Sequence, residues 1–327
     1  MVGVLRWGFL GPGSISEVTL ADFKLAGIRV DAVASRSLDR AENYAKKHNL
    51  AKAYGSYQEL ADDDEIDVIY IATTNSAHYE NAMLCLEAGK HVLLEKPFTL
   101  NQNQAKEIAA LAKSKGCFVM EAMWTRFLPN HTRLFEILDE GTIGEVLYLS
   151  ADHNQLLPVE KVPRLHDSAL GGGSLLDLGI YPISFAHRIF GRPTRILASA
   201  VMMPGQIDES MTAIFEYSGP KRAMWQSSIR SNGSVWASIQ GTLGRIELEK
   251  SFYQVSPFSV FDSEDRLIER FDTKIEGRGM HLQALEVERC IEAGLSESPI
   301  MSLDETIEIM GVMDEIRALT GIKYSGE

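Results

Sequence analysis

A glycine-rich turn near the start of the chain has the residue types and spacing that can hold a phosphate. Gly-Pro-Gly at 11–13 follows an apolar run and precedes a helical pattern. In a G-x-G-x-x-G turn the first glycine bends the chain and the second admits a pyrophosphate, which the helix N-terminus faces. Ser16 stands in the third glycine's place, so the pattern alone could be only a turn. Its position between a strand and a helix favours a dinucleotide site. The expected contacts are Gly11, Gly13, Ser14 and Ile15.

The end of the second predicted strand indicates which dinucleotide would bind. An NAD site normally places an acidic side chain there, to bond the ribose 2′-hydroxyl. This chain instead has Ser35 and Arg36, with Arg40 shortly after. A serine does not repel a 2′-phosphate, and the planar fork of an arginine can pair with one. The pattern predicts NADP(H), although the arginines could also be ordinary solvated residues.

The elements that would position these residues alternate between strand and helix up to about Glu121. The apolar run at 68–72 has no polar face, as expected for a central parallel strand. Short loops between alternating elements predict an N-terminal Rossmann domain at 1–123, a doubly wound parallel sheet. The expected strands lie at 5–10, 29–34, 68–72, 91–94 and 117–120, and the expected helices at 14–25, 39–48, 77–88 and 101–115.

The character of the sequence changes from Val146 onward. One long helix is expected around 175–190, followed by strand-like runs separated by glycine-containing turns. Two helices, at about 280–293 and 303–319, end the pattern. We therefore expect an α+β domain at 124–327 with a large, mostly antiparallel, open-faced sheet, and the terminal helix could pack back on the first domain. The strand-like runs lie at 195–202, 212–217, 223–229, 235–240 and 245–248.

Composition narrows the possible partners. The 327 residues carry a net charge of −13, which argues against binding nucleic acid or an anionic membrane. No export signal is evident, and no apolar stretch reaches the ~20 residues of a membrane helix. The three cysteines lack short spacing, so we expect no disulfide framework and no metal, and a cytoplasmic location.

Four longer motifs occur in a fixed order along the chain. They are Thr-Thr-Asn-Ser-Ala-His at 73–78, Glu-Lys-Pro at 95–97, Glu-Ala-Met-Trp-Thr-Arg-Phe at 121–127 and Gly-Gly-Gly-Ser-Leu-Leu-Asp-Leu-Gly-Ile-Tyr at 171–181. Together they resemble the glucose–fructose oxidoreductase/inositol dehydrogenase (Gfo/Idh/MocA) family over essentially the whole chain. Thr74 replaces that family's usual proline, and Tyr181 stands where many members have histidine. Tyrosine is more similar to the dimeric dihydrodiol dehydrogenase and glucose–fructose oxidoreductase branch, which mostly uses NADP.

The resemblance implies Lys96, Tyr181 and Asp177 as catalytic residues. Oxidation of a carbinol needs a base for the hydroxyl proton, and a tyrosine has an ordinary pKa of about 10. The Lys96 ammonium is expected to favour the Tyr181 phenolate and bring that pKa towards working pH. Asp177 and Tyr181 are four residues apart, so they share one face of a helix. Without the resemblance, a solvated lysine and a half-buried tyrosine would be the simpler interpretation.

Further site residues are implied around these three. Trp124 and Arg126 are expected to pack around the nicotinamide, or else only at a hinge. Arg164 and His166 lie in a proline-bounded loop that could cover the substrate, although His166 could be an ordinary surface histidine. The remaining predicted cofactor contacts are Thr73, Asn75, His78, Glu95 and Lys96, and the predicted substrate contacts are Trp124, Phe127, Arg164 and His166.

These features together predict an NADP(H)-dependent dehydrogenase or reductase acting on a small polyol, sugar or trans-dihydrodiol. Two alternatives stay open: an NAD-dependent polyol dehydrogenase of the same fold, and a non-catalytic NADP-binding sensor. Retention of both Lys96 and Tyr181 disfavours the sensor, which needs no proton carrier. An open sheet face with apolar side chains must be covered, and in the resembling family a second subunit often covers it. We therefore expect a homodimer.

Overall fold

A computed structural model describes residues 4–325 and divides the chain into two compact units. Among the described residues, the first comprises 4–124 and 276–307, and the second comprises 125–275 and 308–325. Segment 276–307 therefore belongs with the N-terminal residues, although it lies late in the sequence. None of the helices in the described part of the chain is both long and apolar enough to cross a membrane.

The first unit is built on a parallel sheet. In chain order its N-terminal elements are β1 (Trp7–Leu10), α1 (Ser14–Leu25), β2 (Val30–Ala34), α2 (Leu38–His48), β3 (Lys52–Tyr54), α3 (Tyr57–Ala61), β4 (Val68–Ile71), α4 (His78–Glu87), β5 (His91–Glu95), α5 (Gln102–Lys115) and β6 (Val119–Ala122). The strand order is β3-β2-β1-β4-β5-β6, with every neighbouring pair parallel. This is the doubly wound order, and it confirms the predicted Rossmann sheet.

Local sequence explains several boundaries of this unit. Helix α5 begins where the Asn101 side chain accepts a hydrogen bond from the Gln104 amide at 3.0 Å and so caps the helix. Strands β1 and β4 are buried along their whole length, which explains their lack of a polar face. The sequence did not predict β3, which has three residues, or α3, which has five. Both are too short to show a hydrophobic periodicity.

The second unit is built on a larger mixed sheet. Its elements are α6 (Pro129–Asp139), β7 (Val146–Asn154), α7 (Ile180–Phe190), β8 (Arg195–Met203), β9 (Ile207–Glu216), β10 (Arg222–Ser228), β11 (Ala237–Gly241), β12 (Gly244–Leu248), β13 (Phe258–Asp262) and β14 (Leu267–Phe271). Helix α8 (His281–Glu292) belongs to the first unit, and α9 (Leu303–Thr320) begins in the first unit's segment and continues into the second. The strand order is β14-β13-β12-β11-β7-β10-β9-β8. Within the described part of this second sheet, only β7 and β10 pair in parallel, so the predicted mostly antiparallel sheet is confirmed.

This sheet has one buried and one open face. Ile196, Phe215 and Ala223 lie side by side on β8, β9 and β10 and are buried. The residues next to them point to the other face, because side chains alternate along a strand. There Leu197 and Met224 both pair with Ile214, and all three are exposed. The open face therefore carries a row of apolar side chains.

Candidate active site

The glycine turn joins the end of β1 to α1. Gly11 has φ +100°, and a Cβ there would lie 2.9 Å from the backbone oxygen of Ala72, just past β4. Any side chain at position 11 would therefore be strained and would also strike β4's end. Ser16, in the third glycine's place, is buried, and its hydroxyl donates to the Gly11 carbonyl. The serine therefore closes the turn with a hydrogen bond instead of leaving space.

The start of α1 fits a phosphate group. Gly13 precedes the helix in an extended conformation, and no side chain of the described residues caps the helix start. A Cβ at Gly13 would meet nothing within 4 Å, so the protein's own packing does not require glycine there. The first amides of a helix have no intrahelical partner and lie at the positive end of its dipole. Ser14 and Ile15, the first helical residues, thus border a place suited to a pyrophosphate.

The end of β2 presents two arginines in different ways. Ser35 is buried, and its hydroxyl accepts from the Ser37 amide at 3.3 Å. Arg40 is exposed on α2, with one guanidinium nitrogen 3.4 Å from the Pro12 carbonyl. Arg36 is also exposed and makes no hydrogen bond or ion pair with the described residues. Its guanidinium can therefore pair with a ligand without breaking a bond in the protein.

His78 connects the loops that follow β4 and β5. Its Nδ1 donates to the Pro97 carbonyl at 2.8 Å, and its Nε2 lies 3.3 Å from the Thr73 carbonyl. The Thr73 hydroxyl in turn accepts from the Asn81 side chain at 3.1 Å. Asn75 is buried in the same loop. The predicted cofactor residues 73–78 are thus held beside the loop that carries Lys96.

Buried side chains fix the loop after β5 at successive residues. The Glu95 carboxylate accepts from the Tyr70 hydroxyl and from the Lys96 amide, the latter at 3.2 Å. The Phe98 amide donates to Glu121 on β6 at 3.0 Å. Lys96 itself is half-buried. Tyr70 and Glu121 were not among the predicted site residues, and a tyrosine inside an otherwise aliphatic strand was the one available signal.

Trp124, predicted to contact the cofactor or the substrate, is the last residue of the first unit's N-terminal part. It is buried, with only 5% of its surface exposed. Arg126 and Phe127 follow in the second unit. The buried Arg126 guanidinium donates to the Ser184 carbonyl at 2.9 Å, on α7, and Phe127 is half-buried. Arg126 therefore holds the helix that carries Tyr181.

Asp177 and Tyr181 lie one turn apart, as predicted. Residues Leu175–Gly179 form a π-helical turn that continues directly into α7. Both side chains are buried, and an Asp177 oxygen accepts from the Arg164 guanidinium at 3.0 Å. Arg164 is therefore brought to the predicted catalytic aspartate. His166 instead lies 2.9 Å from the Leu157 carbonyl, a contact within its own loop.

Two aromatic side chains surround the ring of Tyr181. The His153 ring, on β7, lies 5.0 Å from it between centroids, and the Tyr253 ring lies 4.8 Å away. His153 is fully buried, and its Nε2 is 2.8 Å from the Gln155 side-chain nitrogen. Neither ring was predicted from the sequence, because both are brought to Tyr181 only by the fold. The proposed proton carrier thus stands in an aromatic setting rather than in bulk water.

The glycine run at 171–173 is compressed between two segments. A Cβ at Gly172 would lie 2.6 Å from the Leu165 carbonyl, and one at Gly173 would lie 2.5 Å from an Asp208 carboxylate oxygen. Asp208 is fully buried and accepts from the Leu175 amide at 2.8 Å. Burial raises the pKa of Asp208 to about 7, although the backbone amides bonded to it act in the opposite direction.

No three His, Cys, Asp or Glu side chains within residues 4–325 are grouped as a metal site. The strand order and the glycine turn are those of a dinucleotide-binding Rossmann unit. Residues 5–123 match the family model described as "Oxidoreductase family, NAD-binding Rossmann fold", and residues 131–247 match the "GFO/IDH/MocA C-terminal domain". The chain belongs to the Gfo/Idh/MocA oxidoreductase family, as its motifs suggested.

Its curated relatives extend along the whole chain. It is 36% identical to a trans-1,2-dihydrobenzene-1,2-diol dehydrogenase of Xenopus tropicalis over 98% of this chain and 99% of the relative. It is 35% identical to the human protein of the same name, over 98% of each. The 36% identity to the Xenopus tropicalis protein is higher than the identity to either of the two solved structures described next.

Solved structures share the fold at lower identity. An aldose-aldose oxidoreductase from Caulobacter crescentus, complexed with glycerol, matches with a TM-score of 0.87 and 21% identity, over 97% of each chain. A 3-ketoreductase from Actinomadura kijaniata, complexed with NADP and TDP-benzene, matches with a TM-score of 0.85 and 24% identity, over 97% of this chain and 98% of that one. Both support the two-part architecture.

Proposed function

We propose that the chain is an NADP(H)-dependent dehydrogenase or reductase that interconverts a carbinol and a carbonyl in a small polyol, sugar or trans-dihydrodiol. The observation that carries this proposal lies within the first unit. The glycine turn touches the end of β4 through Ala72, and His78 joins the following loop to Pro97, directly after Lys96. The backbone of Lys96 therefore follows β5 at the edge where a Rossmann sheet binds its dinucleotide, which supports a role for its ammonium there.

The cofactor assignment rests on the end of β2. Arg36 is exposed without a partner among the described residues, and Ser35 brings no negative charge. These residues fit a 2′-phosphate. The bound nicotinamide would supply the hydride acceptor for oxidation and the hydride donor for reduction.

The chain's own residues would move the proton. In oxidation, the substrate C–H bond breaks with its electron pair leaving as hydride, and Tyr181 takes the hydroxyl proton as the C=O bond forms. The Lys96 ammonium favours the tyrosinate form of that proton carrier by its positive charge. Asp177, held by Arg164, would orient the substrate hydroxyl groups. The same steps in reverse describe reduction, with Tyr181 returning the proton.

The trans-dihydrodiol class is proposed because the relatives are named as trans-1,2-dihydrobenzene-1,2-diol dehydrogenases and because the rings of His153 and Tyr253 lie beside Tyr181.

The three cysteines are buried and unpaired with one another, and burial raises the pKa of Cys85 to about 12. Such protonated thiols fit our proposal that the protein works in the reducing cytosol.

The first test removes the proton carrier and its charged neighbour. Diols, pentoses and hexoses would be screened by the absorbance of reduced nicotinamide. On any active substrate we expect Tyr181→Phe to lower kcat by about 10²-fold, because only the hydroxyl is lost, and Lys96→Met to lower it at least as much. NADP(H) affinity in Tyr181→Phe should stay close to wild type. The double variant should be little worse than the poorer single variant, since the two act on one proton.

Tyr217→Phe is the matched control for Tyr181→Phe. Tyr217 lies in the same unit and has the same 7% exposure, and its buried hydroxyl has no hydrogen-bond partner among the described residues. Its loss should leave kcat unchanged. Near-normal turnover in Tyr181→Phe would remove it as proton carrier. Cofactor binding with no turnover of any substrate would instead favour the sensor.

A further inference from the structure

Tyr70 places a hydroxyl in the centre of an apolar core. It lies on β4, is fully buried, and its ring contacts Phe9 with centroids 4.9 Å apart. A phenylalanine would fill the same space without a polar atom. Burying a hydroxyl raises the free energy of the fold unless the hydroxyl is hydrogen-bonded. The two hydrogen bonds of the Tyr70 hydroxyl therefore explain why this position holds a tyrosine and not a phenylalanine.

The direction of both hydrogen bonds follows from the chemistry of the partners. The Tyr70 hydroxyl contacts a Glu95 carboxylate oxygen and lies 3.0 Å from the Thr19 hydroxyl on α1. An ionised carboxylate only accepts, so Tyr70 donates to Glu95 and is left to accept from Thr19. The same contact with the carboxylate and burial hold the pKa of Tyr70 well above its ordinary value. Tyr70 therefore remains a donor at every working pH.

Glu95 links the Tyr70 hydroxyl to the backbone of Lys96. Only 5% of its surface is exposed, and its second carboxylate oxygen accepts from the Lys96 amide at 3.2 Å. A carboxylate so placed needs a donor on its inner side, because burial without one disfavours the charged form. Tyr70 supplies such a donor from the neighbouring strand. Its hydroxyl therefore stabilises the negative charge of the carboxylate that accepts from the Lys96 amide.

We infer that Tyr70 is a positioning residue, whose hydroxyl keeps the Glu95 carboxylate charged and in place so that Glu95 fixes the backbone and the charge environment of Lys96. The role of Lys96 in proton transfer rests on the proposed function. The contact between Tyr70 and Glu95 does not, so the two can be tested separately. Thr19 extends the same chain of bonds to α1, the helix that starts at the glycine turn.

The test compares Tyr70→Phe with Tyr44→Phe. Tyr44 is a buried tyrosine of the same unit whose hydroxyl has no hydrogen-bond partner among the described residues, so its loss is the matched control. Carboxyl-labelled glutamate NMR, with the Glu95 signal assigned by Glu95→Gln, reports the titration of Glu95 without any substrate. In Tyr70→Phe we expect this titration to move up by about one pH unit or more, the effect of losing one hydrogen bond to a charged group. In Tyr44→Phe it should not move.

Lys96 is followed in the same variants by competitive acetylation and mass spectrometry. Displacement or neutralisation of the Glu95 carboxylate in Tyr70→Phe should make the Lys96 amine react faster, by about threefold or more, since a cation farther from an anion gives up its proton more easily. With an active substrate, kcat should fall and its pH profile should shift, while KM for NADP(H) stays within about twofold. A purely structural effect would leave that pH profile unshifted.

A second pair of variants keeps the inference decidable if Tyr70→Phe folds poorly. Glu95→Gln should reproduce the change in Lys96 reactivity, and adding Tyr70→Phe to it should change nothing more, because the carboxylate through which Tyr70 acts is gone. An unchanged Glu95 titration in Tyr70→Phe, or equal Lys96 reactivity in the Tyr70→Phe and Tyr44→Phe proteins, would overturn the inference. Failure of every substrate, with the NMR and acetylation changes present, would overturn the proposed function alone.

Discussion

The proposed preference for NADP(H) depends on one side chain, Arg36. Its neighbour Ser35 is buried with its hydroxyl engaged by the Ser37 amide, so the position that often carries an acid is neutral and already satisfied. Arg36 points into solvent with no partner among the described residues. A phosphate on the ribose would gain a charge-assisted, two-pronged bond there, whereas a bare hydroxyl would gain little.

We expect NADP(H) to bind at least tenfold more tightly than NAD(H), a difference of about 1.4 kcal/mol. Arg36→Ala should remove most of that preference by weakening NADP(H) binding and should leave NAD(H) nearly unchanged. Titration calorimetry with both cofactors measures this. Arg29→Ala is the control: Arg29 is also exposed, precedes the opposite end of β2 and is paired with Asp31. Equal affinity of the wild type for the two cofactors would show that the arginine does not select.

For single residues, the sequence was informative where the functional groups are close to one another along the chain. The glycine turn, the serine–arginine pair and the four-residue spacing of Asp177 and Tyr181 are local patterns. Tyr70, His153 and Tyr253 were not predicted, because their contacts join strands and loops that are distant in sequence. A buried tyrosine and a buried histidine look the same in a sequence whether they fill space or position a neighbour.

One buried acid, Asp208, lies at the start of the helix that carries Asp177 and Tyr181. Asp208, at the start of β9, faces the first amides of that helix, where a negative charge is favourable. It is nevertheless fully buried, and burial raises its pKa to about 7. Gly173 must lack a side chain because its Cβ would strike this carboxylate. The glycine run and the acid are therefore parts of one helix start.

This arrangement predicts how stability changes with pH. Because the folded-state pKa of Asp208 lies above the value of about 3.9 expected in the unfolded chain, the folded protein binds the extra proton between these values. This contribution to the free energy of unfolding is present at low pH and is lost as the pH rises towards 7. Asp208→Asn removes it while keeping an acceptor for the Leu175 amide. Relative to wild type, the variant should therefore gain about 2 kcal/mol between pH 5 and pH 8.

Urea unfolding of both proteins across that pH range is the measurement. Asp262→Asn is the control, because hydrogen bonds from Arg266 lower the pKa of Asp262 and place its titration below the range tested. Its difference from wild type should stay flat between pH 5 and pH 8. If the Asp208→Asn difference is equally flat, Asp208 is already ionised at pH 5 in the folded protein, and burial does not dominate its environment.

The elements themselves were predictable to the extent that they show a period. The Rossmann strands other than β3, the long helix before β8 and the strands from β8 to β12 were expected, although β9 begins at Ile207 and not at the predicted residue 212. Strand β7 was not, although it is central to the second sheet. Its second half is polar, and Asp152, His153 and Asn154 are buried there by contacts that no local pattern reveals. The Asp152 carboxylate, for example, accepts from the Val235 amide at 3.1 Å.

For the molecule as a whole, the open face of the second sheet is the feature that its own fold leaves unexplained. Leu197, Ile214 and Met224 form a row across three strands, each exposed by 37–43%. Val201 on β8 is exposed as well, and so is Trp236, the residue before β11. Monomeric proteins seldom expose large contiguous apolar patches, and rows of this kind mark interaction surfaces. We propose that a second copy of the chain covers it, with the two sheets packed around a two-fold axis.

The expected homodimer would bury more than about 1,200 Å² in total, the scale of a stable interface. Light scattering at micromolar concentration should then give twice the chain mass of 36.3 kDa. Ile214→Glu places a charge in the middle of the row and should yield monomers, because an unpaired charge at the centre of an interface is strongly unfavourable. Leu285→Glu is the control, since Leu285 on α8 is as exposed as Leu197 but lies in the first unit. It should leave the mass unchanged. A wild-type protein that stays at 36.3 kDa would mean that the apolar row has some other occupant or none.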